Sequence, residues 1–136
     1  MPNKWIAMTN FAFALPNRAG ELARLTAELR TAGINLVGLW GYAEGEAEPR
    51  VSCVPESPEL FRRFCELRDI SCEEGRTLYM IGEDRPGALN EALKKIADAK
   101  INVEAIECVA AGNRFGCFLW AAENDWNALE RALAAS

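Results

Sequence analysis

One stretch of the chain decides its fold, and the chain contains it twice. The first copy, residues 17–35, reads NRAGELARLTAELRTAGIN, and the second, residues 84–102, reads DRPGALNEALKKIADAKIN. The copies align without a gap at an offset of 67 residues (84 − 17), and Arg, Gly, Leu, Ala, Ile and Asn coincide. Since the chain of 136 residues is almost twice this offset long, we interpret it as one module duplicated, with two copies of any site that the module carries.

The bulk composition excludes several classes of partner. Half of the residues are hydrophobic, which suffices for a packed core. The net charge is −5 and no long run of Lys and Arg exists, which argues against nucleic acid. No apolar stretch approaches the ~20 residues of a membrane span, and the N-terminus lacks the apolar run of a signal peptide. We therefore expect no membrane association and a cytoplasmic location.

The contents of histidine and cysteine limit the chemistry. The chain has no histidine, so the commonest general base and the commonest nitrogen ligand for metals are missing. The number of cysteines is odd and no two have the CxxC spacing, which favours reduced thiols used as small apolar residues over disulfides or a metal site. They are Cys53, Cys65, Cys72, Cys108 and Cys117. The sequence predicts no catalytic residue, no metal and no cofactor.

The apolar pattern predicts the same order of elements in both halves. The first half has a strand over residues 5–15, a helix from 21, a strand over 34–42, a polar turn over 44–49, a strand over 50–54 and a helix from 58. The second half has a strand over 76–81, a helix from 86, a strand over 101–109, a turn over 111–114, a strand over 115–122 and a helix from about 125. With a further strand expected between residues 69 and 74, the unit is β-α-β-β-α-β.

A β-α-β-β-α-β unit is the ferredoxin-like motif, an antiparallel sheet with both helices on one face. The expected fold class is therefore α+β, with two such modules in tandem. Only three residues follow Leu133, so the second copy has no closing strand of its own. Because residues 1–14 align with residues 68–81, we expect the first part of a long N-terminal strand to complete the second module, which would join the strands in one continuous sheet.

The loop between the first strand and the first helix of each copy is the candidate site. A helix start leaves backbone N–H groups without internal partners, and the helix dipole adds partial positive charge there. A carboxylate can accept these N–H groups where a glycine permits close approach, as Gly20 and Gly87 do. Asn17 and Asp84 can accept from an ammonium group, so the loop suits a zwitterion. A turn also needs Gly and Asn or Asp for conformational reasons alone, and both alternatives stay open.

Two other repeated pairs are ambiguous. Asn35 and Asn102 either fix the turn from helix to strand, which we favour, or face a ligand across an interface. Arg18 and Arg85 recur beside the helix start, where an exposed arginine is more often solvated than it is a clamp on a ligand.

These residues resemble the ACT domain, a small β-α-β-β-α-β regulatory module that binds amino acids. The pattern [Asp/Asn]-Arg-x-Gly-x-Leu, followed by a helix and then by Ile-Asn entering a strand, is similar to that family and covers nearly the whole chain twice, as in stand-alone tandem ACT proteins. The resemblance implies a first ACT domain over residues 1–74 and a second over residues 75–136. The second copy fits the pattern closely, whereas Ala19 replaces the usual proline in the first copy and loosens the first helical turn.

Ligand amino acids in this family commonly lie at an interface between two modules, where the first strand-helix loop contributes backbone and side-chain groups. Carried over residue by residue, the resemblance implies one site in each copy. The implied ligand-binding residues are Asn17, Arg18, Ala19, Gly20, Glu21, Leu22 and Asn35 in the first copy, and Asp84, Arg85, Pro86, Gly87, Ala88, Leu89 and Asn102 in the second.

The expected function is a non-catalytic regulatory module that binds an amino acid or a similar small metabolite. The alternative is a structural or protein-interaction module that kept the fold and lost the ligand, with which Ala19 and the bulky Glu21 are consistent. An enzyme would have to use Cys108 or Cys117 with a carboxylate, which we disfavour.

The expected partners are a small-molecule ligand and a regulated enzyme or transcription regulator. A homodimer of the tandem is a further expectation. Trp40 and Tyr42 share one face of a strand, and that face or an edge strand would form the contact.

Overall fold

The structure, a computed structural model, describes residues 4–43 and 48–134. Residues 44–47 of the predicted polar turn lie outside the described residues. The elements are β1 (Ile6–Ala14), α1 (Glu21–Thr31), β2 (Leu36–Tyr42), β3 (Arg50–Pro55), α2 (Pro58–Arg68), β4 (Glu73–Glu83), α3 (Ala88–Asp98), β5 (Val103–Ala111), β6 (Arg114–Ala121) and α4 (Trp126–Ala134). A 3₁₀ turn, Glu123–Asp125, precedes α4.

The chain forms two compact units. The N-terminal unit contains residues 9–75, and the C-terminal unit contains residues 76–134 together with residues 4–8. The strand order is β2-β3-β1-β4 in the N-terminal unit and β1-β4-β6-β5 in the C-terminal unit, so β1 and β4 each contribute residues to both. The prediction that the N-terminal strand completes the second module is confirmed. The strands predicted over residues 69–74 and 76–81 form one strand, β4.

Strand register in the N-terminal unit places alternate side chains under the helices. In the antiparallel pair of β1 and β3, Phe11 lies opposite Cys53 and Phe13 lies opposite Val51. The Phe61 ring of α2 lies 4.7 Å from the Phe11 ring, centroid to centroid. The same buried cluster includes the helix side chains Leu25, Leu29, Phe64 and Cys65. Both helices therefore cover one face of the sheet, as the ferredoxin-like motif requires.

The C-terminal unit repeats this arrangement around a core of its own. In the antiparallel pair of β4 and β6, Leu78 lies opposite Leu119 and Met80 lies opposite Cys117. Trp5, from the segment that precedes β1, packs against the same core. The helices contribute Ala88, Ala92, Ile96, Trp126, Leu129 and Leu133 to it. The predicted fold class, α+β with two ferredoxin-like modules, is confirmed.

Replacement of Trp5 tests the contribution of the N-terminal segment to the C-terminal unit. We expect Trp5→Ala to lower the free energy of unfolding by about 2 kcal/mol, because a partly buried aromatic side chain is removed from the core. Native-state hydrogen exchange should show the loss of protection in α3 and α4 before any loss in α1 and α2. Ile6→Ala is the matched control, because Ile6 is 50% exposed. Equal effects of the two substitutions, or losses confined to α1 and α2, would contradict this assignment.

Candidate functional site

The two repeated loops lead into helices that have no side-chain cap. Gly20 precedes α1 with φ 89°, and Gly87 precedes α3 with φ 81°, both in the left-handed region. Among the described side chains, none caps either helix. In α2, by contrast, the Ser57 hydroxyl oxygen accepts a hydrogen bond from the Leu60 N–H at 3.3 Å. Backbone hydrogen bonds engage part of each first turn: the Glu21 N–H donates to the Arg18 carbonyl oxygen at 3.4 Å, and the Ala88 and Asn90 N–H groups donate to the Arg85 and Gly87 carbonyl oxygens at 3.1 Å. The Leu22 and Ala23 N–H groups of α1 and the Leu89 N–H group of α3 therefore remain available to water or to a ligand.

The backbone angle, rather than a lack of space, requires glycine at these helix starts. A Cβ atom built on Gly20 or on Gly87 would meet no described atom within 4 Å. The left-handed region still disfavours any residue that has a Cβ atom. The space beside each glycine is open, so a ligand atom can reach the start of each helix.

A cavity of about 600 Å³ lies beside the start of α1 and entirely within the N-terminal unit. Four arginines border this N-terminal cavity: Arg18, Arg24, Arg50 and Arg68. Four carboxylates border it as well: Glu21, Glu28, Asp69 and Glu73. Among the described residues, the charges of these side chains balance. Groups of both signs are what a bound zwitterion requires.

Ion pairs within the chain hold the arginines of the N-terminal cavity. Arg18 Nη2 lies 3.0 Å from Glu21 Oε1. Glu28 receives two arginines, with Arg24 Nε at 3.5 Å and Arg68 Nε at 3.3 Å. Exposed ion pairs of this kind contribute at most about 1 kcal/mol each. Because a guanidinium has several N–H donors, a ligand carboxylate can share or replace these partners.

A second cavity, of about 370 Å³, lies beside the start of α3 and entirely within the C-terminal unit. One wall of this C-terminal cavity consists of the loop residues Asp84, Arg85 and Gly87 with residues 88–90 of α3, and residues 108–110 of β5 form another. The Asp84 N–H donates to the Asn113 carbonyl oxygen at 2.9 Å, which ties the loop to the turn between β5 and β6. Arg85 Nη2 lies 3.0 Å from Glu91 Oε1. This cavity has fewer charged groups than the N-terminal cavity.

The structure places half of the predicted site residues at the cavities. Arg18 and Glu21 border the N-terminal cavity. The C-terminal cavity is bordered by Asp84, Arg85, Gly87, Ala88 and Leu89. Of the predicted residues, the described structure places the remainder outside both linings: Asn17, Ala19, Gly20, Leu22, Asn35, Pro86 and Asn102. Leu22 is 49% exposed beside the α1 start.

Hydrogen bonds at Asn35 support the turn interpretation of that residue. Its Nδ2 donates to Glu56 Oε1 at 2.9 Å, and its carbonyl oxygen accepts from the Glu56 N–H at 2.9 Å. Asn102 is exposed. Two residues before it, Lys100 has φ 60°, and the corresponding residue of the first copy, Gly33, has φ 72°. Both copies therefore use a left-handed residue to leave the helix.

Sequence reasoning missed the cavity residues that lie outside the repeated loops. Arg50 comes from β3, Arg68 ends α2, Asp69 follows it, and Glu73 begins β4. In the C-terminal cavity, the missed residues are Asn90, Cys108, Val109, Ala110 and Phe115. No local pattern marks these positions, because only the tertiary fold brings them beside the loops.

The cysteines of the structure are free thiols. Burial raises the pKa of the Cys53 thiol to about 12, and burial is also the main reason that the pKa of Cys117 is raised. In residues 4–43 and 48–134, no group of three or more His, Cys, Asp or Glu side chains is placed to hold a metal ion. None of the described helices is long and apolar enough to cross a membrane.

Comparisons with known proteins find similar folds rather than similar sequences. No family model matches the chain, and no curated protein matches it. A protein from Bacteroides thetaiotaomicron has a TM-score of 0.83 at 17% identity, with 96% of this chain and 88% of that chain covered. The regulatory subunit of aspartate kinase from Thermus thermophilus, in its ligand-free form, has a TM-score of 0.65 at 14% identity, with 98% and 95% covered. The corresponding subunit from Thermus flavus has a TM-score of 0.58 at 13% identity and the same coverage.

Identities this low show the fold alone. Over residues 4–43 and 48–134, the fold is α+β, with six strands and four α-helices arranged as two ferredoxin-like modules. Two of the similar structures are regulatory subunits of a kinase rather than its catalytic part.

Replacement of Gly87 tests the helix-start geometry. We expect Gly87→Ala to lower the free energy of unfolding by about 1 kcal/mol, because alanine must adopt φ 81° while its Cβ meets open space. Urea denaturation measures the change, and the m value should stay constant. Gly116→Ala in β6 is the control, since its Cβ would make an ordinary contact with Tyr79 at 3.8 Å. An unchanged or higher stability of Gly87→Ala would show that the left-handed geometry is wrong.

Proposed function

We propose that this chain is a non-catalytic, cytoplasmic regulatory module that binds an amino acid through two ACT domains, residues 1–74 and 75–136. The observation that carries the proposal is that both copies place a glycine-led, uncapped helix start beside a cavity. Both cavities have volumes typical of small-molecule sites. The similar Thermus structures are regulatory subunits, which supports a regulatory role.

The C-terminal cavity has the three kinds of group that an α-amino acid needs. In the described structure, the Asp84 carboxylate takes part in no hydrogen bond or ion pair, so it can receive the ligand ammonium. The Leu89 N–H, in the first turn of α3, can donate to the ligand carboxylate, whereas the Ala88 and Asn90 N–H groups donate to backbone carbonyl oxygens. Val109 and Phe115 supply an apolar wall for a ligand side chain. The second copy is therefore the simpler of the two sites and suits an apolar amino acid.

The N-terminal cavity suits a more polar ligand. Arg18 and Arg24 can donate to one carboxylate, and Glu21 and Glu28 can accept from an ammonium group. Arg50 and Arg68 leave further donors for a second acidic group. We infer that the two copies differ in ligand preference, because their loops kept the same backbone while the surrounding charges diverged.

The proposal also includes a regulated partner and no catalytic activity. The ligand would act on a regulated enzyme or transcription regulator, or on a second copy of the chain in a homodimer. An enzyme would have to use Cys108 or Cys117, and Cys117 is fully buried with a pKa raised by burial, so it is a poor nucleophile at neutral pH. The net charge of −5 favours neither DNA nor RNA as a partner.

One observation favours the alternative, an interaction module without a ligand. Strand β5 lies at the end of its strand order, and it is exposed along most of its length. Its apolar side chains include Ile106, 39% exposed, and Val109, 73% exposed. An exposed edge strand with apolar residues is suited to pairing with another chain.

A ligand screen separates the two functions. We expect at least one standard amino acid, at millimolar concentration, to raise the melting temperature of the full chain and to give a binding isotherm in calorimetry. The decarboxylated amine and the deaminated acid of the same amino acid are the controls, since each lacks one charged group. If no amino acid changes the melting temperature or gives a binding isotherm, and the chain self-associates through β5, the result would favour the interaction module.

Substitutions at the cavities test where the ligand binds. For a ligand of the C-terminal cavity, Asp84→Asn should weaken binding about 10-fold to 100-fold, because one charge-assisted hydrogen bond is lost. Asp98→Asn, at the exposed end of α3, is the matched control. For a ligand of the N-terminal cavity, Arg24→Gln should have the corresponding effect, with Arg63→Gln on α2 as its control. Calorimetry with the amino acid found in the screen measures both, and equal affinities of variants and controls would place the ligand elsewhere.

A further inference from the structure

Two cysteines of the N-terminal unit lie in contact. Cys65 is in the last turn of α2, and Cys72 immediately precedes β4. Their sulfur atoms are 3.0 Å apart. A covalent disulfide has a sulfur separation of about 2 Å, so a shift of about 1 Å joins the two. Cys65 is 5% exposed, whereas Cys72 is only partly buried and can meet a small reagent from solvent.

The end of α2 turns the chain back so that the two sulfurs meet. Asp69 adopts the left-handed conformation, with φ 54°. The Ile70 N–H donates to the Cys65 carbonyl oxygen at 2.9 Å, and the Asp69 N–H donates to the Glu66 carbonyl oxygen at 3.3 Å. This closed helix end is a common C-terminal motif, and it turns the chain back towards α2. The backbone at the end of α2 therefore brings Cys72 back towards Cys65.

We propose that Cys65 and Cys72 form a reversible disulfide, and that this bond holds the segment of residues 68–71 in place at the wall of the N-terminal cavity. The effect on ligand affinity rests on the proposed function, whereas the disulfide and the ordering of the segment do not. The oxidant belongs to the class of small disulfides, such as oxidised glutathione.

The chemistry is two successive thiol–disulfide exchanges. The Cys72 thiolate attacks one sulfur of the small disulfide, which forms a mixed disulfide and releases one small thiolate that takes up a proton. The Cys65 thiolate then attacks the Cys72 sulfur, which forms the Cys65–Cys72 bond and releases the second small thiolate. The proton lost from Cys65 passes to that leaving group. The two protein thiols lose two electrons, and the small disulfide gains them as two thiols.

The surroundings give the two thiols different roles. The hydrogen bond from Cys65 lowers the pKa of Cys72, which makes Cys72 the first nucleophile. The same hydrogen bond is the main reason that the pKa of Cys65 is raised, and this effect ends once Cys72 is in the mixed disulfide. Cys53 is also near the pair, but burial raises its pKa to about 12, so it stays a thiol.

The bond bears on the cavity because the segment between the cysteines is part of the cavity wall. Arg68, Asp69, Ile70 and Ser71 all border the N-terminal cavity. Arg68 Nε lies 3.3 Å from Glu28 Oε2, and its guanidinium carbon lies 5.1 Å from the centre of the Phe64 ring. A disulfide across this segment removes alternative conformations of the wall. Oxidation should therefore tighten ligand binding, because less ordering remains to be done on binding.

Tryptic mapping after oxidation tests the bond directly. Trypsin cleaves after Arg63, Arg68 and Arg76, so Cys65 and Cys72 fall on separate peptides, residues 64–68 and 69–76. After incubation of the full chain with oxidised glutathione, we expect these peptides to be released as one linked pair, about 2 Da lighter than their sum, which dithiothreitol separates. Separate alkylation of the two peptides, a persistent glutathione adduct on Cys72, or a link to Cys53 would overturn the proposal.

Two variants keep this test independent of folding defects. Cys72→Ser changes a partly buried position and should abolish the linked pair while leaving Cys65 open to alkylation in the unfolded chain. Cys65→Ala should trap the glutathione adduct on Cys72. Cys108→Ser, in the C-terminal unit, is the matched control and should leave the linked pair intact, so a loss of the pair in this variant contradicts the assignment.

Hydrogen exchange tests the effect on the cavity wall without any ligand. Oxidation should slow amide exchange in residues 68–72, by about tenfold if local opening of the segment governs it, and should leave α3 unchanged. An unchanged exchange rate in a chain whose disulfide has formed would overturn the ordering of the wall. If no amino acid binds in either redox state, the proposed function fails while the mapping and exchange results still decide this inference.

Discussion

The structure depends on one strand, β1, that contributes residues to both units. A β-α-β-β-α-β module needs a closing strand beside its first strand, and the second copy takes that strand from the start of the chain. Residues 6–8 of β1 supply it, and residues 9–14 of the same strand begin the first copy. β4 has the complementary role, because it closes the first copy and opens the second. The packing of Trp5 on the core of the C-terminal unit anchors this exchange. A sequence repeat of two copies thus becomes two units that exchange strand segments.

The duplication preserved backbone geometry more strictly than side-chain chemistry. Gly20 and Gly87 adopt the same left-handed conformation, and neither helix start has a side-chain cap among the described residues. A residue with a Cβ atom is strained in that conformation, so both copies keep glycine. Around this fixed geometry the charges differ: four arginines and four carboxylates border the N-terminal cavity, whereas Asp84 and Arg85 are the charged residues at the lining of the C-terminal cavity as described. Two sites with this shared backbone geometry can therefore bind different ligands.

The ion pairs at the wall of the N-terminal cavity are weak and can rearrange. Glu28 is shared by arginines from two helices, and such exposed ion pairs exchange partners at little cost. The segment after α2 belongs to this wall, and the thiols of Cys65 and Cys72 flank it. A change in the redox state of two sulfur atoms can therefore reach the charged groups that would meet a ligand.

The sequence by itself determined the repeat, the element order, the two ferredoxin-like modules and the completion of the second module by the N-terminal strand. These could be predicted because apolar periodicity and the residues that begin and end helices are local properties of the sequence. A constant offset of 67 residues also fixes how the two copies correspond. The sequence also located the loops that lead into α1 and α3, where a positive φ requires Gly20 and Gly87. Only the tertiary structure decided which residues surround those loops. Arg50, Arg68, Cys108 and Val109 reach the cavities through strand pairing and helix packing, which no local pattern encodes. The contact of Cys65 with Cys72 likewise depends on how α2 ends, and the sequence favoured no disulfide because the spacing of the two cysteines is unremarkable until the chain turns back at Asp69.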